Sequence, residues 1–511
     1  MPPFCLNMKE YIVVQLTSMS HDGRAVGRIE NLPALNLSNQ DLLCQNAQYA
    51  GMVVFVENAI IGQTVRAELI EIKKNFLSAK CVEILEQSPF AASGICPHQT
   101  KCGGCAWQNI VYERQVLEKE NAIKNALKRL GKVQNFEKCF YGLLSPLSHP
   151  TAAVRQNETI FYRNKMEFAF AMQNGKLALG LRRKNSHELV EVTDCKLQDP
   201  HAMKILALLR SVLQDFQYDF YRYAVLRFFQ HAWTVELITY PFSKQHRKEE
   251  EQSILACYEA LKDEIAGFVH SERKSKTDVA YGERIVQEFG KTMLYEKLTI
   301  SGREIQFKLG NSAFFQVNSA MAEILYQVVC DFASAVLPEK NAHIWDFYCG
   351  IGSIGLSLAN LCIENKKNFS LEYVKEFSAD TPGYSYKKPF SLGVEVVEKA
   401  IQLAEENAQL NQCAFAKFIC SASKNLQKFF KQYSLPNLLI LDPPRSGIED
   451  EAVSAILQYQ PQFLILVSCN PTTLARDLAK LTQKYSIKAI QGVDLFPHTP
   501  HVETVVLATR Q

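Results

Sequence analysis

The sequence predicts an α/β protein with a C-terminal doubly wound, Rossmann-like parallel sheet, an N-terminal small β-barrel and an α+β central domain. Three observations lead to this fold class. Apolar strands alternate with amphipathic helices from about residue 300, short alternating strands fill residues 9–86, and a cysteine-rich knot at 96–105 separates them. A length of 511 residues suits about three domains, which we place at 1–88, 89–300 and 301–511.

The N-terminal segments YIVVQL, MVVFVENAIIG and TVRAELIEI alternate apolar and polar residues, with glycines at 23, 27, 51 and 62. Short strands with glycine turns are typical of an OB-like barrel. We interpret residues 31–50 as a loop inserted into that barrel.

The central domain begins with the knot and a helix predicted around 108–130, for which Gly131 is a C-terminal cap. Strands follow at 160–195 and a helix at 200–216. The charged stretch at 244–252 indicates a solvated loop or the start of a helix.

Composition excludes several classes of protein. A net charge of only +3 gives no whole-protein argument for nucleic acid, so any such argument needs local clustering. We find neither a membrane span nor a signal peptide, and therefore expect a cytoplasmic protein with no membrane contact. Its 15 cysteines should then be reduced, as core residues, metal ligands or catalysts. Nothing in the sequence predicts an obligate protein partner.

The C-terminal domain contains the strand–turn–helix IWDFYCGIGSIGLSLAN, a second strand SLGVEVV with its helix, and further strands at NLLIL, FLILVSC and VETVVLA. Residues 364–390 are too long for a simple link, and we interpret them as an inserted surface loop.

A cofactor site is predicted where the first two strands of this sheet end. Gly350 and Gly352 let the backbone approach a ligand, although a plain tight turn is the alternative. Glu395, which ends the second strand, can accept hydrogen bonds from both ribose hydroxyls of an adenosine. The pattern D-x-x-C-G-x-G with this glutamate favours S-adenosylmethionine over a dinucleotide. Ala422 follows the third strand of the predicted cofactor site, at a position where methyltransferases often carry an acidic residue. Backbone contacts to adenine would replace the contact of that acidic side chain.

Three further groups are candidates for chemistry. Asp442 ends a strand and is followed by two prolines that fix the turn. Cys469 ends the next strand, and its place before a helix predicts a depressed pKa; a buried structural cysteine is the alternative. Glu503 heads the last strand, where a glutamate is usually solvated.

A pyrimidine methylase needs such a set. C5 of uracil is a poor nucleophile until a thiolate adds to C6, and a base must afterwards remove the C5 proton. Cys469 and Glu503 supply both groups. Cytosine-5 methylases of DNA carry the thiol as Pro-Cys at the strand end where this chain has Asp442-Pro443-Pro444. The later position of the thiol therefore indicates RNA.

The chain resembles the RNA uracil-5 methyltransferases of the bacterial ribosomal type. The motifs FFQVN (314–318), DFYCGIGSIGLSLA, LDPPRSGI, VSCNPTTLARDL and LFPHTPHVETVVL occur in the family order. The resemblance implies 23S ribosomal RNA as substrate, Cys469 as nucleophile and Glu503 as base. It also implies contacts to S-adenosylmethionine from several residues: Gln316, Tyr348, Glu395 and Asp442, with weaker matches at Ser353 and Ala422.

Four cysteines stand out as metal ligands: Cys96, Cys102, Cys105 and Cys195. Their spacing leaves tetrahedral zinc and an iron–sulfur cluster equally open. The family resemblance implies a [4Fe–4S] cluster with a structural role.

The resemblance implies that the N-terminal barrel, residues 1–88, is an RNA-binding, TRAM-like domain. RNA contacts are predicted in two further places. The first is a basic stretch in which cations would bind phosphates and the aromatic rings of Tyr162, Phe168 and Phe170 would stack on bases; a strand pair with a basic outer face is the alternative. Its cations are Arg155, Arg163, Lys165, Lys176, Arg182, Arg183 and Lys184. The second is Phe314 or Phe315, which could stack on a uridine flipped out of its helix.

Two other functions compete with 23S ribosomal RNA methylation. One is methylation of the T-loop uridine of transfer RNA. The other is a non-catalytic RNA-binding iron–sulfur protein, which the presence of Cys469, Glu503 and Glu395 disfavours.

Overall fold

The computed structural model describes residues 10–30, 48–148, 159–184, 186–216, 218–310, 313–337, 342–364, 390–413 and 415–511. The predicted insertions at 31–50 and 364–390 lie almost wholly outside these ranges, and so does Arg155. The chain divides into two compact units. The first comprises 1–95, 104–122 and 496–501, and the second comprises 96–103, 123–495 and 502–511.

The first unit contains the predicted barrel, which is closed in the strand order β1-β2-β3-β5-β4. Its strands are β1 Tyr11–Met19, β2 Ala25–Arg28, β3 Val53–Glu57, β4 Thr64–Ile72 and β5 Phe76–Glu86. Alternate side chains of these strands fill the interior, and Trp107 and Ile110 complete the same core. Gly27 is required at the β1–β2 contact, because a Cβ there would lie 2.4 Å from the carbonyl oxygen of Gln15.

The helix predicted at 108–130 is observed as α1, Tyr112–Ala126, followed by one π-helical turn, Leu127–Gly131. The predicted cap at Gly131 is wrong, because Lys132 adopts the left-handed conformation, with φ 48°. Gly131 instead lies inside the π-turn. A Cβ on it would lie 3.2 Å from the carbonyl oxygen of Ala475, so close packing explains this glycine.

The second unit contains a seven-stranded sheet in the order β13-β12-β11-β10-β7-β8-β9. Its strands are β7 Lys165–Gln173, β8 Lys176–Arg182, β9 Leu189–Val190, β10 Tyr221–Phe229, β11 Ala232–Thr239, β12 Gly267–Glu272 and β13 Arg284–Gly290. Two helices accompany it: α2 Pro200–Leu213, capped by Asp199, and α3 Arg247–Leu261. Strands β14 Leu294–Ile300 and β15 Arg303–Leu309 form a separate hairpin.

An eight-stranded sheet in the order β18-β17-β16-β19-β20-β22-β21-β6 forms the rest of this unit. The strands are β6 Phe140–Leu144, β16 His343–Phe347, β17 Phe390–Glu395, β18 Ala416–Cys420, β19 Leu438–Leu441, β20 Phe463–Ser468, β21 Tyr485–Val493 and β22 Glu503–Arg510. The helices are α4 Ser319–Val336, α5 Ser353–Glu364, α6 Glu398–Leu410, α7 Leu426–Gln432, α8 Asp450–Tyr459 and α9 Pro471–Leu481.

The pairing confirms the doubly wound sheet and adds two features. Strands β16 to β20 are parallel, whereas β22 runs antiparallel between β20 and β21. The edge strand β6 pairs with β21 although it lies far outside the predicted range 301–511.

Helix α4 is the one helix in the described ranges that is long and apolar enough to cross a membrane, judged by length and composition alone. Within the analysed window 72% is buried in the protein. Such burial is that of a core helix.

Candidate active site

Five candidate residues lie where adjacent strands of the eight-stranded sheet end, at the carboxyl edge where open α/β sheets bind ligands. Tyr348 follows β16, Glu395 ends β17 and Asp442 follows β19, while Cys469 follows β20 and Glu503 begins β22. The alternation of strands and helices thus gathers residues that are more than 150 positions apart in the chain.

The turn after β16 has the backbone of a ligand cradle. Tyr348, Gly350 and Gly352 all have positive φ, at 65°, 54° and 83°. Nothing lies within 4 Å of the position a Cβ would take at Gly350, so the backbone there is open to a ligand. A tyrosine in the left-handed region is strained, and the backbone N–H of Tyr348 is fixed by donating to the carbonyl of Val394, at 2.9 Å.

Glu395 is held ready by backbone donors. Its Oε1 accepts from the N–H groups of Val396 and Val397, at 2.8 and 3.0 Å, and its Oε2 accepts from that of Gly350, at 3.2 Å. The carboxylate therefore keeps one orientation at the mouth of the glycine turn, as a ligand for two ribose hydroxyls must.

Asp346, which the sequence did not single out as a binding residue, is buried directly beneath this turn. Its Oδ2 accepts from the N–H of Gly355 at 2.9 Å, whereas Oδ1 has no hydrogen-bond partner among the described residues. Burial raises the pKa of this carboxyl to about 8. A buried acceptor without a donor is a fitting place for the cationic amine of an aminoacyl ligand.

The other predicted cofactor contacts have different surroundings. Gln316 is buried, and its backbone carbonyl accepts from Nδ2 of Asn164 at 3.0 Å. Ser353 begins α5, and its Oγ accepts from the hydroxyl of the buried Tyr326 at 3.1 Å. Ala422 precedes the 3₁₀ turn Ser423–Asn425 and contributes only backbone there.

The two predicted stacking residues are separated by their exposure. Phe314 is 70% exposed, whereas Phe315 is 3% exposed and packs edge-on against Phe229. Phe314 is therefore the one that can meet a base.

Cys469 and Glu503 are neighbours. Strands β20 and β22 pair antiparallel with Ser468 opposite Thr504, so the next position of the ladder sets Cys469 beside Glu503. Asn470 then caps α9 by accepting from the N–H of Thr472 at 3.0 Å, and Pro471 opens the helix.

The predicted depression of the pKa of Cys469 is wrong. Burial raises the pKa of the thiol to about 11, and the charges of Glu503 and Asp442 add to the rise. The guanidinium of Arg445 opposes them without prevailing. Desolvation and two carboxylates therefore outweigh the favourable end of α9.

Glu503 is buried rather than solvated. Burial, with the charge of Asp442, raises the pKa of its carboxyl to about 8, and Arg445 opposes this. Burial raises the pKa of Asp442 to about 7. A carboxylate with a pKa near neutrality is suited to act as a general base, because it can both take and release a proton at physiological pH.

The basic stretch of the central sheet is only partly as predicted. Tyr162, Phe168 and Phe170 are buried, so their expected stacking on bases is wrong. Arg182 pairs with Asp278 and Arg183 with Glu188, at 2.6 and 3.0 Å.

Lys165 forms an ion pair with Glu167 at 2.6 Å, and burial lowers its pKa. The Nε of Arg163 donates to the carbonyl of Lys165 at 3.4 Å. Lys176 and Lys184 remain exposed.

Three of the four predicted cluster cysteines belong to the second unit, and Cys105 belongs to the first. The N–H of His98 donates to Sγ of Cys96 at 3.4 Å. Burial raises the pKa of Cys195, although hydrogen bonds from the backbone N–H groups of Leu197 and Gln198 oppose the rise. The charge of Cys96 adds to the rise in the pKa of Cys195. Across the residues that the structure describes, no group of three or more His, Cys, Asp or Glu side chains is arranged to hold a metal.

Comparison with known proteins identifies relatives of the whole chain. The family model described as tRNA (Uracil-5-)-methyltransferase matches residues 129–511, and the TRAM domain matches residues 10–82. A protein of Nitratidesulfovibrio vulgaris described as an uncharacterized RNA methyltransferase is 32% identical over 481 residues, covering 91% of this chain and 92% of that protein. One of Caldanaerobacter subterraneus subsp. tengcongensis with the same description is 31% identical, covering 98% of both.

A solved structure shares the fold. The tRNA (uracil-54, C5)-methyltransferase of Pyrococcus abyssi, in complex with S-adenosyl-L-homocysteine, superposes with a TM-score of 0.63 at 20% identity. The match covers 98% of this chain and 100% of that chain. The predicted small barrel followed by a methyltransferase sheet is thereby confirmed as a fold.

Proposed function

Because the chain belongs to the tRNA (uracil-5-)-methyltransferase family, whose model spans residues 129–511, we propose that it methylates C5 of a uracil in folded RNA, with Cys469 as nucleophile and Glu503 as base. The observation that carries this proposal is the pairing of β20 with β22, which sets that thiol beside a buried carboxyl. Both lie at the sheet edge that also carries the glycine turn and Glu395.

The methyl donor is S-adenosylmethionine, which supplies an electrophilic sulfonium methyl when it is bound. Four features of the edge fit it: the open backbone at Gly350, the preset carboxylate of Glu395, the unpaired buried oxygen of Asp346, and Asp442 at the end of β19. The first two suit the ribose and its neighbours, and the last two suit cationic groups.

The reaction follows from the two protein groups. The Cys469 thiolate adds to C6 of uracil, forming the S–C6 bond while the C5–C6 π electrons move to C5 and O4. C5 then takes the methyl group: the C5–CH3 bond forms as the sulfonium S–CH3 bond breaks, which leaves S-adenosylhomocysteine. Glu503 removes the remaining C5 proton, the electron pair restores the C5–C6 double bond, and the thiolate leaves. The raised pKa of Cys469 means that the thiol must lose its proton on or before substrate binding, and Arg445 is the nearby cation that favours the thiolate.

The uracil must leave its helix to reach Cys469, because C6 of a stacked and paired base is covered. The exposed ring of Phe314 is suited to stack on the flipped base, two residues before the predicted cofactor contact Gln316. Lys176 and Lys184 are suited to contact phosphates from the central sheet.

The RNA that we propose is 23S ribosomal RNA, as the family resemblance implies, with the T-loop uridine of transfer RNA as second candidate. The second candidate is favoured by the family description and by the Pyrococcus abyssi transfer RNA enzyme, whose fold matches nearly the whole chain.

We also propose a [4Fe–4S] cluster held by Cys96, Cys102, Cys105 and Cys195. It is supported by the resemblance and by the backbone N–H of His98, which donates to Sγ of Cys96. Its role would be structural, and no step of the methylation involves it. Anaerobic purification should give a brown protein with an absorption band near ~400 nm; a colourless protein that binds zinc would contradict the cluster. We expect the enzyme to act in the cytoplasm.

The proposed function is tested by tritium release from RNA labelled at C5 of uracil, in the presence of S-adenosylmethionine. Separate reactions contain unmodified 23S ribosomal RNA and unmodified transfer RNA. Release from ribosomal RNA alone supports the proposal, and release from transfer RNA alone transfers it to the second candidate. No release from either RNA would refute uracil-C5 methylation.

A further inference from the structure

Glu449 lies in the loop between Asp442 and α8 and takes part in a small hydrogen-bond network at the cofactor edge. The hydroxyl of Tyr348 donates to Oε2 of Glu449. The hydroxyl of Ser423 donates to the same oxygen, with 2.7 Å between Oγ and Oε2. Burial, together with the hydrogen bond to Glu449, raises the pKa of Tyr348, so that hydroxyl stays a donor. The carboxylate is therefore fixed between the turn after β16 and the turn after β18.

The two oxygens of the Glu449 carboxylate differ in their hydrogen bonding. Both donors reach Oε2, whereas Oε1 makes no hydrogen bond within the described part of the chain, and Glu449 as a whole is exposed. A carboxylate whose orientation is fixed through one oxygen presents the other to a ligand at little cost in side-chain entropy.

The residues around Glu449 indicate which part of a bound adenosine would lie beside its carboxylate. Glu395 is set for the ribose, and the carbonyl of Glu395 accepts from the N–H of Ser421 at 2.8 Å, which brings the 421–423 segment beside it. Val396, directly after Glu395, is 65% exposed, so an apolar surface adjoins the ribose site. The base of an adenosine is one glycosidic bond from its ribose, and a planar base would pack on such a surface.

We infer that Glu449 reads the adenine of the cofactor, by accepting a hydrogen bond from the exocyclic 6-amino group. It would supply from the loop after Asp442 the acidic side chain that is absent at Ala422. Ser423, the residue after Ala422, links the two places by its hydrogen bond to Glu449. The inference rests on the proposed use of S-adenosylmethionine.

A carboxylate gives a base preference that can be measured. It accepts from the 6-amino group of adenine but faces the 6-oxo group of hypoxanthine as a second acceptor, which is repulsive. Replacing Glu449 with glutamine keeps the shape and adds an amide donor, which can satisfy the 6-oxo group. The preference between the two bases should therefore shrink in that variant, whereas a purely structural role would change both affinities alike.

The test is isothermal titration of the full-length protein with S-adenosylhomocysteine and with S-inosylhomocysteine, which differ only at the base. For Glu449→Gln we expect the ratio of the two dissociation constants to fall by about tenfold or more, as for a hydrogen bond to a charged group. Glu451→Gln, which removes an exposed acid two residues later, is the matched control and should keep the wild-type ratio. Tyr348→Phe removes one donor to Oε2 and should lower the ratio less.

The outcomes separate the inference from the function on which it rests. If the wild-type protein binds S-adenosylhomocysteine and Glu449→Gln keeps the wild-type ratio, Glu449 does not read the base. If the wild-type protein binds neither compound, the use of S-adenosylmethionine itself is refuted. Circular dichroism of each variant identifies any loss of fold.

Discussion

The cofactor end and the reacting end of the same sheet edge are built differently. At the cofactor end, Glu395 accepts three backbone hydrogen bonds and Glu449 accepts two from side chains. At the reacting end, Asp442, Glu503 and Cys469 lie close together, and burial raises the pKa of each.

The difference follows from what each end must do. A site that holds the ribose and base of a cofactor gains from acceptors whose orientation is already fixed, because little entropy is lost on binding. A site that moves protons needs groups whose charge can change. When such acidic groups are buried side by side, desolvation and the repulsion between their negative charges keep them protonated until a ligand binds. A cationic sulfonium beside Asp442 would shift this balance towards the carboxylates and the thiolate.

The largest effect is expected for Cys469→Ala, which removes the proposed nucleophile. Tritium release should fall by about 10⁴-fold, as for loss of other covalent catalysts. Because the cofactor end does not depend on this thiol, titration with S-adenosylhomocysteine should give a dissociation constant within about twofold of the wild type. Cys81→Ala, in the barrel, is the matched control and should retain activity. Full activity of Cys469→Ala would refute the covalent mechanism.

Glu503→Gln should separate two steps within the reacting end. The glutamine keeps the shape but cannot take the C5 proton, so turnover should fall by about 10³-fold while a methylated protein–RNA adduct accumulates. Denaturing gel electrophoresis with labelled RNA detects that adduct, and Cys469→Ala in the same background should abolish it. Normal turnover without an adduct would show that another group is the base.

The sequence predicted which side chains meet at the sheet edge better than it predicted their pKa values, for a physical reason. A glycine turn and a strand-ending glutamate such as Glu395 are local patterns, and the parallel topology brings them together without further information. The pKa of Cys469 depends on burial and on two carboxylates from other strands. Its local helix terminus predicted the wrong direction because these tertiary effects are larger.

Other features were hidden for the same reason. The alternation in YRNKMEFAF indicates a strand with one solvent-exposed face. In the structure β7 lies between β8 and β10, and the aromatic rings of β7 are buried. Nothing local pairs β6 with β21, about 350 residues later. In the sequence, Glu449 looks like an ordinary acidic residue at the start of a helix. Only the structure shows that it accepts hydrogen bonds from Tyr348 and Ser423.

Asp442→Asn should show that the buried carboxyl group of Asp442 lowers the folding stability of the protein when it is ionised. The carboxyl of Asp442 has an ordinary pKa of 3.8, which burial raises to about 7. The folded state thus holds this proton more tightly than the unfolded state. The associated stabilisation is complete below about pH 4 and is lost as the pH rises through about 7. Asparagine carries no charge, so its advantage over aspartate should grow with pH to at most roughly 4 kcal/mol.

Thermal denaturation of the cofactor-free protein at pH 5, 7 and 9 measures this trend. The melting temperature of Asp442→Asn minus that of the wild type should increase from pH 5 to pH 9. Asp450→Asn is the control, since the pKa of the exposed Asp450 is lowered by its hydrogen bond to Lys480 and should give no such increase. A difference that stayed flat or fell with pH would mean that Asp442 is not destabilised by burial.

The smallest effect is expected for Phe314→Leu, which tests where the substrate base meets the reacting end. Phe314 is 70% exposed, so leucine should cost little folding stability. The loss of base stacking should raise the KM for RNA about tenfold and leave the affinity for S-adenosylhomocysteine unchanged. Tyr295→Leu removes another exposed aromatic ring, on β14, and should change neither value. If Phe314→Leu weakened S-adenosylhomocysteine binding instead, Phe314 would belong to the cofactor end, and the boundary between the two ends would have to move to include it.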